Sequence, residues 1–440
     1  MIDTTVHAGV LDSFNLMWVD ATEKLHRVHT NPAFNFGDIC QLGITHNLRN
    51  IWIVPGSTIA NDIAQHPDMW IAYPRVSYNA TFTTREHNKM VYPAACFIHR
   101  TEGSWEDKRT VNIFYVEADD RWQEDKSGGW ALADCEDAMV LLGALKYLHE
   151  QLEIDIESPG NTGLKLMKQS LERFPEKIAI ADLSKLPPMV VAPYLWEREL
   201  TPEEKGMKYK HIFDKRSAWL AGATGAELGH GSPKFQMAGG DERPNFKRAG
   251  VWQVAVRSLP DVFKFGKTPL VDGSLKWMYN HSIDALLSMG CELWPVQGYY
   301  WEKSTRALND WAKDIWDSRA ILSQPGTPFK NNASRETAYK MLKCIYTHGL
   351  QRLDLTSDRQ KKVKPALHRP DWHNAIVDCA NARMLLKINE MYQKHGVIPA
   401  KVKTDAITYY SNEPDAQTFL PEMFVRYGQL GSFQCETVEV

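Results

Sequence analysis

The run GVIPAKVKTDAITYYS, residues 396–411, constrains the fold more than any other stretch of the chain. Apolar and polar residues alternate over 398–402 and again over 406–409, on either side of Thr404-Asp405. A period of two on both sides of a tight break predicts a β-hairpin. The turn is not the Asn-Gly or Asp-Gly pair that short hairpins favour. Aspartate is also a good turn former in its own right. Asp405 therefore has two readings: a turn residue, or a carboxylate presented at the apex for chemistry.

The rest of the pattern is mixed α and β, with no internal repeat and no low-complexity tract. Residues 50–55 (NIWIVP) and 110–117 (TVNIFYVE) read as strands. Residues 134–152 read as a helix with Asp134 as N-cap and Met139, Leu142, Leu145, Leu148 and Leu152 on one buried face. SPGNTG (158–163) precedes a helical run over 164–174; without the GKS or GKT ending of a P-loop it reads as a capping turn before a phosphate loop. The Pro-containing segment 186–193 marks a boundary. Beyond it, 211–213 reads as a strand ending on Asp214, followed by a Gly-rich loop (222–231) and an irregular stretch (237–250). A strand at 251–256 and a helix over 275–289 come next. Helical periodicity returns at 303–322 and 333–350 around SQPGTPF (323–329), an antiparallel pair with a Pro-Gly tip. In the loop at 368–373 Asp371 is placed to cap a helix over 372–392, which leads into the hairpin.

Composition narrows the class. Hydrophobic content of 43% and charged content of 24% are those of a globular protein of several domains. Residues 1–14 show no signal-peptide pattern, and no apolar run reaches the roughly 20 residues of a membrane span. Seven scattered cysteines without a CxxC pair argue against a disulfide framework or a zinc site. These features imply a cytoplasmic protein, in the cytosol or at the nucleoid of a host cell. Net charge is only -3, but residues 201–440 carry 33 Lys+Arg against 26 Asp+Glu, leaving 18 against 28 in residues 1–200. A basic half beside an acidic half is a cue for contact with a polyanion. The cations thicken between Lys313 and Arg369.

Asp214 and Asp405 each adjoin a short apolar strand, with the basic helical pair between them in sequence. Two carboxylates on neighbouring strands can hold a pair of Mg²⁺ ions for phosphoryl transfer, while nearby Lys and Arg bind a triphosphate. At this point three blocks resemble the palm and fingers of family B DNA polymerases, most closely compact protein-primed or actinobacterial plasmid- and phage-type members. Residues 214–219 (DKRSAW) resemble the first palm motif, DxxSLYP. The resemblance puts Asp214 on its metal-binding aspartate, Ser217 among the nucleotide-binding positions, and Trp219 on the aromatic beside the sugar. Residues 340–349 (KMLKCIYTHG) resemble the fingers motif KxxxNSxYG, with Lys340, Lys343 and Tyr346 as nucleotide contacts, and Arg319 resembles the fingers arginine that grips the triphosphate. Residues 403–406 (KTDA) resemble the DTDS hairpin, with Asp405 on its second aspartate. Residues 431–436 (GSFQCE) are similar to the G-x-F/Y-K-x-E segment that follows it. The likeness covers about residues 205–440.

The chain departs from the family pattern: Lys403 replaces the first aspartate of DTDS, the Asn-Ser and Tyr-Gly of the fingers motif are missing in register, and the stretch after Asp405 is too short for the usual thumb. The resemblance implies an α/β (α+β) fold with a ferredoxin-like palm sheet, helical fingers, a reduced or absent thumb and an RNase H-like domain in the exonuclease position. The expected boundaries are 1–190 for that domain, 191–300 and 366–440 for the palm, and 301–365 for the fingers. It also implies two Mg²⁺ ions (Mn²⁺ as a substitute), dNTPs and a DNA primer–template. A priming or clamp-like protein would meet the acidic N-terminal half. Proofreading is not expected: the literal DxE at Asp155-Ile156-Glu157 falls between a helix and a Pro-Gly loop, and Glu117, Asp119 and Asp120 are not so arranged. The activity implied is DNA-directed DNA synthesis of low processivity. Its rivals are a polymerase-derived binding scaffold and a template-independent nucleotidyltransferase. Simpler roles compete at each residue: helix capping for Asp214, core packing for Trp219, a solvated face for Lys340 and Lys343, and an ion pair with Asp314 or Asp317 for Arg319.

Overall fold

A computed structural model of the chain describes residues 8–20, 22–30, 36–66, 78–87, 90–100, 110–115, 135, 137–157, 159–174, 181–188, 191–239, 244–264, 275–324, 329, 331–354, 367–425 and 428–440. Glu117, Asp119, Asp120 and the Pro-Gly tip at 325–328 lie outside these residues. The chain divides into two compact units, one formed by 1–167 with 317–352 and the other by 168–316 with 353–440.

In the first unit β1 (Ala8–Leu11), β2 (Asn15–Val19) and β3 (Leu25–His29) form an antiparallel meander. β4 (Asn50–Ile53) runs parallel to β1, and β7 (Thr110–Tyr115) parallel to β4. β5 (Tyr78–His87) and β6 (Met90–Arg100) complete the sheet, in the order β3-β2-β1-β4-β7-β6-β5. This meander with parallel strands beyond it is the RNase H-like arrangement. Every residue of β4 is buried, as a parallel strand covered on both faces requires.

The helix expected from 134 is Ala138–Leu152, and its N-cap is Asp137, whose carboxylate accepts from the Met139 and Val140 amides. Leu142, Leu145, Leu148 and Leu152 are buried, but Met139, beside the cap, is 46% exposed and lies off the stripe. The helix expected from 164 starts earlier: residues 159–163 form the first turns of the helix Pro159–Arg173. Its glycines serve packing. A Cβ on Gly163 would sit 2.4 Å from the Ile345 carbonyl oxygen and 2.6 Å from the Cα of Gly349, on the helix Asn332–Gln351. The two helices meet backbone to backbone, so the obstacle is not a side chain that can turn aside. Gly163→Ala is expected to cost about 1–3 kcal/mol, the usual range for overpacking, read as a lower urea midpoint; an unchanged midpoint would mean that the helices separate freely.

The second unit holds a five-stranded antiparallel sheet in the order β18-β9-β17-β16-β8. Its strands are β8 (Leu195–Glu197), β9 (Tyr209–Lys215), β16 (Lys401–Lys403), β17 (Ala406–Ser411) and β18 (Phe433–Glu439). One face is covered by the long helix Pro370–His395. Phe213, Ile407, Tyr409, Val402 and Phe433 form a buried core with Met384, Leu385, Ile388 and Met391 of that helix. Pro370 at its first turn and Gly396 at its end, φ +68°, set its limits. A second sheet, β11 (Lys234–Met237), β14 (Leu293–Tyr300), β12 (Gly250–Val256) and β13 (Leu275–Tyr279), adds Trp252 and Val254 to the same core. β10 (Leu228–Gly229) pairs with β15 (Ser304–Thr305).

Several expected boundaries move. Residues 275–289 are not one helix: β13 comes first, pairing Tyr279 with Val251, and the helix is Asn280–Ser288. The Gly-rich 222–231 is not a loop throughout. Gly222 lies in the helix Ala218–Gly225, where a Cβ would meet the Ile376 carbonyl oxygen at 2.6 Å. The helix expected from 303 starts at Asn309. Asp371 caps nothing; it lies inside the long helix, buried, in a two-pronged ion pair with Arg369 at 2.9 and 2.6 Å.

Candidate active site on the palm sheet

Alternation along β9 decides which side chains face out. His211, Phe213 and Lys215 are buried; Ile212 and Asp214 are partly exposed on the other side. β17 pairs antiparallel with β9 from Ser411↔Tyr209 to Ala406↔Asp214. Directly paired residues in such a ladder have Cα atoms about 4.5–5.5 Å apart. Asp405 precedes Ala406, and its backbone carbonyl accepts from the Lys215 amide at 2.9 Å. Of the two aspartates expected to act together, Asp214 thus lies in β9 and Asp405 in the turn entering β17, one register step away, and both are half-buried. Lys403 pairs with Ala406, so the loop is Thr404-Asp405 alone. Thr404 has φ +59°, an uncommon state for a β-branched residue. Its amide donates to the Tyr194 carbonyl at 2.8 Å, which ties the strained turn to the segment entering β8.

β18 flanks β9 on the other side and sets Gln434 opposite Asp214. The Gln434 amide Nε2 donates to Asp214 Oδ2 at 3.2 Å, and Arg216 Nε donates to Gln434 Oε1 at 3.1 Å. After Arg216 the chain turns through Ser217, φ +51°, into the helix Ala218–Gly225. Ser217 is buried and does not cap that helix with its side chain; Trp219 is half-buried. Beneath the sheet, burial pushes the Lys215 ammonium down to about 8, and the Arg383 guanidinium pushes the same way. Asp405 opposes the shift.

The other expected nucleotide contacts belong to the first unit. Lys340 is half-buried and Lys343 exposed on the helix Asn332–Gln351, and Tyr346 is buried there. Asp314 pairs with Arg173 at 2.9 Å, and Arg319 lies against two tyrosines. Its guanidinium lies 4.3 Å from the ring centre of Tyr339 and 5.5 Å from that of Tyr346, and it donates to both hydroxyls at 2.6 and 3.2 Å. It is 7% exposed. Near the N-terminal sheet Glu157 pairs with Lys165, and Asp155 lies 3.9 Å from His149. Asp12, at the end of β1, accepts from the amides of Phe14 and Asn15.

Among the described residues no group of three or more His, Cys, Asp or Glu is placed to hold a metal. That does not disqualify the aspartate pair, because Mg²⁺ usually takes one or two carboxylates with substrate phosphates and water in place of an all-protein cage. An oxygen-only donor pair, one in β9 and one in the turn beside it, is of the kind that suits such a hard cation. No helix among the described residues is long and apolar enough to cross a membrane.

No protein-family profile and no curated protein sequence matches the chain. Solved structures do. The orthorhombic crystal form of phi29 DNA polymerase superposes with a TM-score of 0.55 over 100% of this chain and 84% of that one, at 12% identity. The chain shares the fold of phi29 DNA polymerase. The phi29 enzyme complexed with primer–template DNA gives 0.55 over 98% of this chain, also at 12% identity and 84% of its own length. Its ternary complex with incoming nucleotides gives 0.54 over 100% at 10% identity, covering 85% of that chain. The palm-and-fingers fold expected from the motifs is therefore met in three dimensions, at 10–12% identity. Gln434 stands where the G-x-F/Y-K-x-E segment has its lysine, but the motif alone attached no role to it. Strand alternation could have placed it on the outward face, but its partner lies 220 positions earlier, and the register joining them is not written in either strand.

Proposed function

We propose that this chain is a DNA-directed DNA polymerase whose palm consists of residues 191–300 and 366–440 and whose fingers consist of residues 301–365. The observation that carries the reading is the pairing of β9 with β17, which brings Asp214 in β9 beside the turn that holds Asp405. The phi29 complexes with primer–template and incoming nucleotides support it by fold. Asp214 and Asp405 would hold two Mg²⁺ ions, or Mn²⁺ in their place. When bound, such ions activate the attacking oxygen and neutralise charge on the leaving one. Lys340 and Lys343 would bind the triphosphate of the incoming dNTP. Ser217 and Trp219 would face its sugar, and Tyr346, with Arg319, would hold the fingers helices in register. The basic residues of the C-terminal half would track primer and template phosphates. Residues 1–190 would form a domain without proofreading that offers its acidic surface to a priming or clamp-like protein. The setting would be the cytoplasm of a cell carrying a phage or plasmid.

Templated primer extension with Mg²⁺ and four dNTPs is the test. Incorporation that follows the template base supports the polymerase; incorporation indifferent to the template would mean a terminal nucleotidyltransferase. A second reading, a polymerase-derived scaffold with weak or no catalysis, is favoured by one observation: Arg319 is enclosed by Tyr339 and Tyr346. Salt-sensitive DNA binding with no extension under either cation would establish it.

A further inference from the structure

We infer that Gln434 is a positioning residue for Asp214, and that Arg216 fixes the direction in which its amide points. The inference rests on the reading of Asp214 as a cation ligand and adds the group that orients it. A guanidinium has only N–H donors, so the atom of Gln434 facing Arg216 Nε at 3.1 Å must be the amide oxygen. That leaves the amide nitrogen toward Asp214, where it donates to Oδ2 at 3.2 Å. Chemistry thus settles an orientation that is otherwise ambiguous in a terminal amide.

The backbone holds this short chain of bonds in place. Gln434 is directly opposite Asp214, between the pairs Phe433↔Lys215 and Cys435↔Phe213. Phe213, Lys215 and Phe433 are buried. A slip of one residue would turn Phe433 to solvent, so the hydrophobic side of the ladder protects the polar side. Beyond the strand the Arg216 amide donates to the Ser432 carbonyl at 2.8 Å, and the Gly431 amide donates to the Arg216 carbonyl at 3.1 Å. Both partners of the amide are therefore anchored to the same two strands.

A neutral amide is well suited to this position. It restricts rotation of the carboxylate without neutralising it, so the full negative charge is kept for a cation. The lysine that the G-x-F/Y-K-x-E segment has at this position would instead bring a positive charge beside the carboxylate. Groups that orient metal-binding carboxylates in this way typically change metal affinity about 10–100-fold when removed.

The experiment is Mn²⁺ titration of the purified full chain, without DNA or nucleotide, followed by the paramagnetic resonance signal of free Mn²⁺. The variants are Gln434→Leu, Gln434→Lys and Asp214→Asn, with thermal midpoints measured alongside. Gln434 is exposed, so both substitutions at this position should leave the midpoint within a few degrees. Gln434→Leu is expected to weaken Mn²⁺ binding about 10–100-fold, and Gln434→Lys more. In primer extension Gln434→Leu should need more cation for half-maximal rate yet approach the wild-type rate at saturation. Unchanged Mn²⁺ affinity in both Gln434 variants, with affinity lost in Asp214→Asn, would overturn the positioning role. Affinity unchanged in all three would instead overturn Asp214 as a ligand.

Discussion

Asp214→Ala and Asp405→Ala should each lower templated primer extension by about 10³-fold or more while leaving DNA affinity within a few-fold. The size follows from what a lost carboxylate removes. Charge stabilisation at a metal-assisted phosphoryl transfer amounts to several kcal/mol, and a factor of 10³ corresponds to about 4 kcal/mol of barrier. Binding to DNA depends instead on neutralising phosphates with cations. Removing an acid beside that track does not weaken it. Asp405→Asn makes the decisive comparison for the hairpin. Asparagine forms turns as readily as aspartate and tolerates unusual backbone angles, so it would preserve the two-residue loop between Lys403 and Ala406. If Asp405 is there only to turn the chain, Asp405→Asn keeps the wild-type rate. If it is a ligand, the variant is nearly as inactive as the alanine. A wild-type rate from Asp405→Asn, measured in Mg²⁺ with a labelled primer, would end the two-carboxylate reading.

The elements legible in sequence were those whose pattern is local. The hairpin at 401–411 and the long helix both announce themselves by periodicity, and both are found. Elements whose nature depends on a distant partner were harder to read. Leu275–Tyr279 looks helical in continuity with the next ten residues, yet it is a strand because Val251 and its neighbours pair with it. Gly163 and Gly222 suggest loops, but each sits in a helix where another backbone comes too close for a Cβ. Asp371 looked like a cap because it stands at a helix start after a proline, and nothing nearby announces that Arg369 will be buried against it. For the site, residue type and order were enough to bring forward Asp214 and Asp405. Two features lay beyond reach: the placement of Gln434, which depends on register across 220 positions, and the enclosure of Arg319 by Tyr339 and Tyr346, which depends on how two helices pack.

Asp378→Asn should stabilise the protein, and by more as the pH rises. Asp378 lies in the middle of the long helix, 3% exposed. Its carboxylate accepts from the Ser282 amide at 2.9 Å and the Ser282 hydroxyl at 2.6 Å. Burial nonetheless pushes it up to about 7, from an ordinary value of 3.8; the Ser282 bonds and the His281 amide oppose the shift without cancelling it. Because the folded value is the higher one, the site's contribution to stability is complete below about pH 4. It is lost as the pH climbs through 7, where the folded chain must carry a buried negative charge. A difference of about three pH units corresponds to roughly 4 kcal/mol. The asparagine reproduces the protonated acid: its oxygen can accept from the Ser282 amide, and its NH₂ can donate to the Ser282 hydroxyl, which is able to accept. Urea unfolding should therefore show wild type weakening between pH 4 and 7 relative to the variant. The two would nearly coincide at pH 4 and differ by up to roughly 4 kcal/mol at pH 8. A variant less stable than wild type at pH 8 would mean that the ionised carboxylate is held by more than Ser282, and that the charge in the helix is an asset to the fold.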